Sequence, residues 1–199
     1  MKHTLPCTID IGTHDTRDWF IAKIEKMLPK LTFVLGGAAS GKSLWAEKLL
    51  LSSDLEPVYL ATARVFDAEI EVKIADHKKR RSADWFNIEA DCGLSEPLGM
   101  LKPTQGVLID CATMWLTNLL MDDADLVVAK AELLAALKAC AAPVIIVSNE
   151  VGHGIVPDNA LARQFREEQG QLNIVLAEQS ELVVNVTAGL PLVLKGRLP

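Results

Sequence analysis

The sequence predicts an α/β fold, a mostly parallel β-sheet covered on both sides by helices. Three observations predict it. Short apolar runs alternate with longer stretches of helical spacing along most of the chain. The runs hold too few polar residues for either face to meet water, as expected of strands buried between two helical layers. The string Gly36-Gly37-Ala38-Ala39-Ser40-Gly41-Lys42-Ser43 falls where the first run gives way to the first helix, the setting of a phosphate-binding loop.

Residues 1–30 read as an N-terminal extension, polar and irregular to about Thr16, with Trp19, Phe20, Ile24, Met27 and Leu28 then at helical spacing until Pro29 stops the pattern. No chemical motif falls there, so it reads as a packing or partly disordered arm. Residues 31–199 read as a single nucleotide-binding catalytic domain. Its first strand is Leu31–Leu35, and the helix-like stretch Leu44–Leu51 follows the glycine-rich string. Further strands are expected at Pro57–Ala61, Gly106–Cys111, Pro143–Asn149 and Glu181–Val186, and Leu190–Leu194 closes an edge as a last strand or hairpin. Helices are expected at Asp67–Ser82, Thr113–Met121, Ala124–Ala141 and Asn159–Gln179. Ligands on such a sheet collect at the carboxyl ends of its strands.

Composition sets limits. The chain has 199 residues, half of them apolar, enough to bury one full core. The net charge of −6 argues against a general nucleic-acid or anionic-membrane surface, which needs clustered Lys and Arg. Cys7, Cys92, Cys111 and Cys140 are scattered without a C-x-x-C pair, so they read as free thiols of a cytoplasmic protein, not as a zinc site or disulfide framework. No run of about 18 apolar residues is present to span a bilayer, and the first 30 residues lack a secretory apolar segment.

The glycine-rich string is the first chemical signal. Glycines let backbone N–H groups converge on phosphate oxygens, Lys42 reaches the β- and γ-phosphates, and the Ser43 hydroxyl suits Mg²⁺ at a helix start. Val107-Leu108-Ile109-Asp110 then places a carboxylate at the tip of a buried strand, where it holds Mg²⁺ or its water. A strand-ending Asp also serves as a plain helix cap.

In Asp67–Ser82, helical spacing puts Lys73, Arg80 and Arg81 on the face of His77. Three cations around one imidazole favour its neutral, nucleophilic form and draw in a triphosphate. The residues alone support equally a histidine at the edge of the core, since Ile70, Ile74 and His77 also follow an apolar spacing. Glu89 by itself reads as a solvated charge. The loop from Asn149 to Pro157, with Gly152 and Gly154 around His153, reads as a substrate loop. Arg163 and Arg166 share a helix face that reads as solvated, with phosphate binding as the alternative. His3 and His14 carry no signal.

The strings at 36–43, Tyr59-Leu60-Ala61-Thr62-Ala63, Asp67 through Arg81 with its Ile-x-x-His, Leu108 through Leu120, and Ser148-Asn149-Glu150-Val151-Gly152-His153-Gly154-Ile155-Val156-Pro157-Asp158-Asn159 together resemble the bifunctional adenosylcobinamide kinase / adenosylcobinamide-phosphate guanylyltransferase family, from about Leu31 to Lys195. The resemblance implies a RecA-like P-loop fold, Mg²⁺ with GTP or ATP, and a homotrimer. It implies two reactions in coenzyme B12 assembly: phosphorylation of the aminopropanol hydroxyl of adenosylcobinamide, then GMP transfer from GTP through an enzyme histidine to adenosylcobinamide phosphate. The family's histidine falls on His77. Its nucleotide contacts fall on Gly36, Gly37, Ala38, Ala39, Ser40, Gly41, Lys42, Ser43, Thr62, Ala63, Arg64, Lys78, Lys79, Arg80, Arg81, Glu89 and Asp110. Ala39 stands where family members often carry Arg, and Ile174 where Gln is usual. A small-molecule P-loop kinase without guanylyltransferase activity, and a nucleotide-responsive binding protein without transfer chemistry, are the competing readings.

Overall fold

A computed structural model describes residues 27–64 and 85–199. The arm before Met27 and the expected helix Asp67–Ser82, with His77, Lys78, Lys79, Arg80 and Arg81, lie outside the described residues.

Among the described residues twelve elements follow one another: β1 (Leu31–Gly36), α1 (Lys42–Leu51), β2 (Glu56–Ala61), β3 (Phe86–Glu89), α2 (Ser95–Gly99), β4 (Gln105–Asp110), α3 (Ala112–Met121), α4 (Leu126–Ala139), β5 (Val144–Asn149), α5 (Ala160–Gln179), β6 (Leu182–Thr187) and β7 (Leu190–Lys195). Every expected strand and helix among the described residues is present, with ends shifted by a residue or two. Helix α1 begins at Lys42, inside the glycine-rich string. Two elements were not expected. β3 is a four-residue edge strand with only Ile88 turned partly inward, too short for a period to show. α2 is a single turn holding Pro97, below any helical pattern.

The strands form one seven-stranded sheet in the order β3-β2-β4-β5-β1-β6-β7. β1 pairs in parallel with β5 and β6, β4 with β2 and β5, and β2 with β3. Only β7 runs antiparallel, as the second arm of a hairpin with β6. Phosphate loop, Thr62–Arg64, Glu89, Asp110 and Asn149 therefore all emerge at one edge of the sheet, the carboxyl ends of β1 to β5.

Alternation along the strands sorts the core into two layers. Phe33, Leu60, Ile109 and Ile146 join Leu98, Trp115, Leu116, Leu133, Leu137, Leu172 and Leu176 from α2 to α5 on one face. Val34, Tyr59, Leu108, Ile145 and Val184 meet Ala46 and Leu50 of α1, together with Leu28 and Trp85, on the other. Two of the described helices, α4 and α5, carry a side-chain N-cap. Asp125 accepts the N–H groups of Val127 and Val128 at the start of α4, and Asn159 accepts that of Ala162 at the start of α5.

Candidate nucleotide-binding and transfer site

The phosphate loop leaves β1 through backbone that side chains would not permit. A Cβ on Gly36 would meet Val186 O at 2.5 Å and Ser40 Oγ at 2.6 Å, and Gly41 sits at φ 89°, where glycine alone is unstrained. Ala39, at φ 55°, adopts the left-handed conformation despite its methyl group. The turn of the β6–β7 hairpin braces the loop, Gly189 N–H donating to Ser40 O at 2.8 Å. Lys42 opens α1, and its Nζ donates to Gly37 O at 3.1 Å. Burial holds its ammonium below the usual lysine pKa, while Cys111 and Asp110 act in the opposite sense. Phosphate oxygens would add to that second influence and keep Lys42 charged.

Asp110 ends β4, two strands from β1, and accepts the hydroxyl of Tyr59 at 3.0 Å. Tyr59 packs edge-on against Trp85, ring centroids 6.2 Å apart. After Asp110 the chain is held by Thr62: its Oγ1 accepts Cys111 N–H at 2.8 Å and donates to Cys111 O at 2.7 Å. The Thr62 hydroxyl is thus committed to main chain beside Asp110, and Asn118 Nδ2 fixes Thr62 and Asp91 by donating to both carbonyls. The Cys111 thiol is sealed beneath, its pKa pushed up to about 11 chiefly by burial.

Arg64 follows at the exit of β2. Its guanidinium donates from Nε to Asp91 at 2.5 Å and in fork fashion to both oxygens of Asp122 at 2.7 and 2.6 Å. The pairing raises the Arg64 pKa and holds both carboxyls below their usual range. Ala63 lies between these two anchors, and Glu89 ends β3 in register with Ala61.

Past Asn149 the β5 exit loop is tied down at both ends. Glu150 N–H donates to Gly36 O at 3.1 Å, and Glu150 Oε1 accepts Gly152 N–H at 2.5 Å. Arg163 donates to the carbonyls of Pro157 and Asp158 at 3.0 and 2.8 Å, and Arg166 to that of Gly152. Arg163, exposed as expected, and Arg166, half-buried, both brace this loop from α5. His153 is exposed, as are Ile155 and Val156.

The donor set fits a magnesium ion arriving with a nucleotide. Such an ion takes one or two protein oxygens and completes its shell with phosphates and water. Ser43 offers a hydroxyl in the first turn of α1, and Asp110 a carboxylate on the same edge of the sheet. Sequence reasoning missed Tyr59, Asn118, Asp91 and Asp122 as supports, because each meets its partner across 27 residues or more of chain.

Residues 32–194 match the family described as cobinamide kinase / cobinamide phosphate guanyltransferase. The chain is 42% identical over 166 residues to a bifunctional adenosylcobalamin biosynthesis protein of Pseudomonas aeruginosa, covering 82% of this chain and 96% of that one. It is 36% identical over 181 residues to the bifunctional adenosylcobalamin biosynthesis protein of Escherichia coli K12, covering 83% and 99%. Among solved structures, a Pyrococcus horikoshii OT3 protein shares the fold with a TM-score of 0.50 at 10% identity, covering 91% of this chain and 92% of that one. Phosphate loop, strand-end carboxylate and matched family agree: the chain belongs to the cobinamide kinase / cobinamide phosphate guanyltransferase family.

Proposed function

We propose that this protein phosphorylates adenosylcobinamide and then converts the product to adenosylcobinamide-GDP, both at the carboxyl edge of its sheet. The observation that carries the reading is the phosphate loop at the tip of β1, on the same carboxyl edge of the sheet as Asp110 at the tip of β4. In the first reaction the aminopropanol hydroxyl attacks the γ-phosphorus of ATP or GTP. A new P–O bond forms, the β–γ bridge breaks, and the nucleoside diphosphate departs. Such transfers depend on alignment and charge neutralisation more than on covalent help from the protein. Gly36–Ser43 supply N–H groups and one ammonium to the phosphates. Magnesium, held by Ser43 and Asp110, would neutralise the phosphate charge when bound.

In the second reaction an imidazole nitrogen of His77 attacks the α-phosphorus of GTP, pyrophosphate leaves, and a phosphate oxygen of adenosylcobinamide phosphate displaces the histidine. The covalent intermediate divides one displacement between two bulky partners into two easier ones. Lys78, Lys79, Arg80 and Arg81 neutralise the phosphates, and Thr62, Ala63, Arg64 and Glu89 complete the nucleotide contacts. The protein acts in the cytoplasm as a homotrimer in this reading, and among the described residues no helix is long and apolar enough to cross a membrane.

The test uses GTP labelled at the α-phosphate. Label is expected to remain on the denatured protein through an acid-labile, base-stable bond and to vanish with His77→Ala. An unlabelled parent that still phosphorylates the corrinoid would leave a kinase alone. Labelling that persists in the variant would move the nucleophile to another residue. Size-exclusion chromatography with light scattering checks the trimer.

A further inference from the structure

Helix α5 carries two amides inside its core stripe. Gln169 is fully buried and Asn173, one turn on, is 7% exposed, with Leu172 and Leu176 beside them. Ser148 of β5, also fully buried, donates to Asn173 Oδ1 at 2.7 Å. Gln169 Nε2 donates to Ser148 Oγ and Asn173 Oδ1, both at 2.9 Å. Asn173 Nδ2 passes the chain on, donating to the main-chain carbonyl of Asn149 at 3.1 Å. From the opposite side, the N–H of Asn149 donates to Thr113 Oγ1 at 2.8 Å. Both main-chain groups at the tip of β5 are therefore held by buried side chains from two different helices.

That tip bears directly on the phosphate loop. Asn149 is in register with Gly36, and the next residue, Glu150, is hydrogen-bonded to the Gly36 carbonyl. Gly36 leaves no room for a side chain, since a Cβ there would meet Val186 O and Ser40 Oγ. A shift of the β5 tip must pass into the loop. β5 also lies between β1, which leads into the phosphate loop, and β4, which ends in Asp110, so its tip bears on their separation.

Asn173 is fully hydrogen-bonded, but Gln169 is not. Gln169 Oε1 is buried without a hydrogen-bond partner among the described residues, and such an orphan acceptor is destabilising. A leucine at 169 would remove it. We propose that Gln169 and Asn173 are positioning residues for phosphoryl transfer, acting through the main chain of Asn149 to fix the phosphate loop against Asp110. The proposal rests on the kinase reading above.

The experiment measures corrinoid phosphorylation from γ-labelled nucleotide, equilibrium binding of a fluorescent GTP analogue, and thermal melting. The parent is compared with Gln169→Leu, Asn173→Leu and Ser148→Ala. Because misplacement of reacting groups by an ångström costs up to about a hundredfold, kcat should fall about tenfold or more in Asn173→Leu and several-fold in Gln169→Leu. Nucleotide affinity should stay within about threefold, since the loop's own N–H groups supply it. Gln169→Leu should melt no lower than the parent, which a merely structural role would not produce. Ser148→Ala keeps the bond from Asn173 to Asn149 and should retain kcat within about threefold.

Leucine variants with unchanged kcat would overturn the inference. So would a loss in Gln169→Leu that follows a fall in Tm, or a Ser148→Ala loss as deep as that of Asn173→Leu. A parent inactive toward the corrinoid would remove the kinase reading and this inference with it.

Discussion

Gly41 must hold φ 89°, and a Cβ there would lie 3.0 Å from the Gly189 Cα of the β6–β7 turn. Both the left-handed backbone and that contact oppose a methyl group, so Gly41→Ala should cost roughly 1–2 kcal/mol in urea unfolding and weaken nucleotide binding by displacing the start of α1. Ala39→Gly should be neutral or mildly stabilising, because the left-handed strain it relieves offsets the added freedom of the unfolded chain. The pair checks the loop geometry from both directions. Cys111 gives a chemical readout at the same scale. With its thiol buried and its pKa near 11, it should resist alkylation at pH 8 until the protein is unfolded, as mass spectrometry of the labelled peptide would show. The phosphate loop was legible in the sequence because its residues are contiguous. The bonds of Asp110 to Tyr59 and of Cys111 to Thr62 were not, since each joins strands about 50 residues apart in the chain.

At the level of elements, Arg64 ties the exit of β2 to the segment after β3 through Asp91 and to the end of α3 through Asp122. Arg64 holds both carboxyls below their ordinary range. A depressed folded-state pKa stabilises the fold above the unfolded carboxylate value, about 3.9, and that contribution is lost as pH falls through the folded values. Arg64→Met should therefore lower the urea midpoint at pH 7 and differ progressively less from the parent as pH is taken below about 4. The effect will be modest, because the pairs are partly exposed and screened by salt. A gap between the two proteins that stayed constant into acid would show that Arg64 acts by packing alone. The elements themselves were readable wherever a periodic pattern ran for six residues or more. β3 and α2 fall below that length, and tertiary pairing with β2, not local preference, makes β3 a strand.

Taken whole, the sheet has a centre and a β7 edge that the sequence announces and a β3 edge that it does not. Uniformly apolar strands predicted a parallel sheet between helical layers, but nothing local specifies that β5 inserts between β1 and β4, because strand order is a property of crossovers and packing. The consequence is a gradient of stability from centre to edge. Ile146 of β5 is fully buried and pairs with Phe33 on one side and Ile109 on the other. Ile146→Ala removes buried volume that two neighbouring strands cannot close, so it should cost roughly 2–5 kcal/mol. Leu192 of β7 is 60% exposed on an edge strand, and Leu192→Ala should change stability by no more than about 0.5 kcal/mol. Native-state hydrogen exchange on the parent should rank the same way, with amides of β1 and β5 opening only with global unfolding and those of β7 opening locally. Equal protection across all seven strands would mean that the hairpin edge is covered, and would turn attention to a subunit contact on β7.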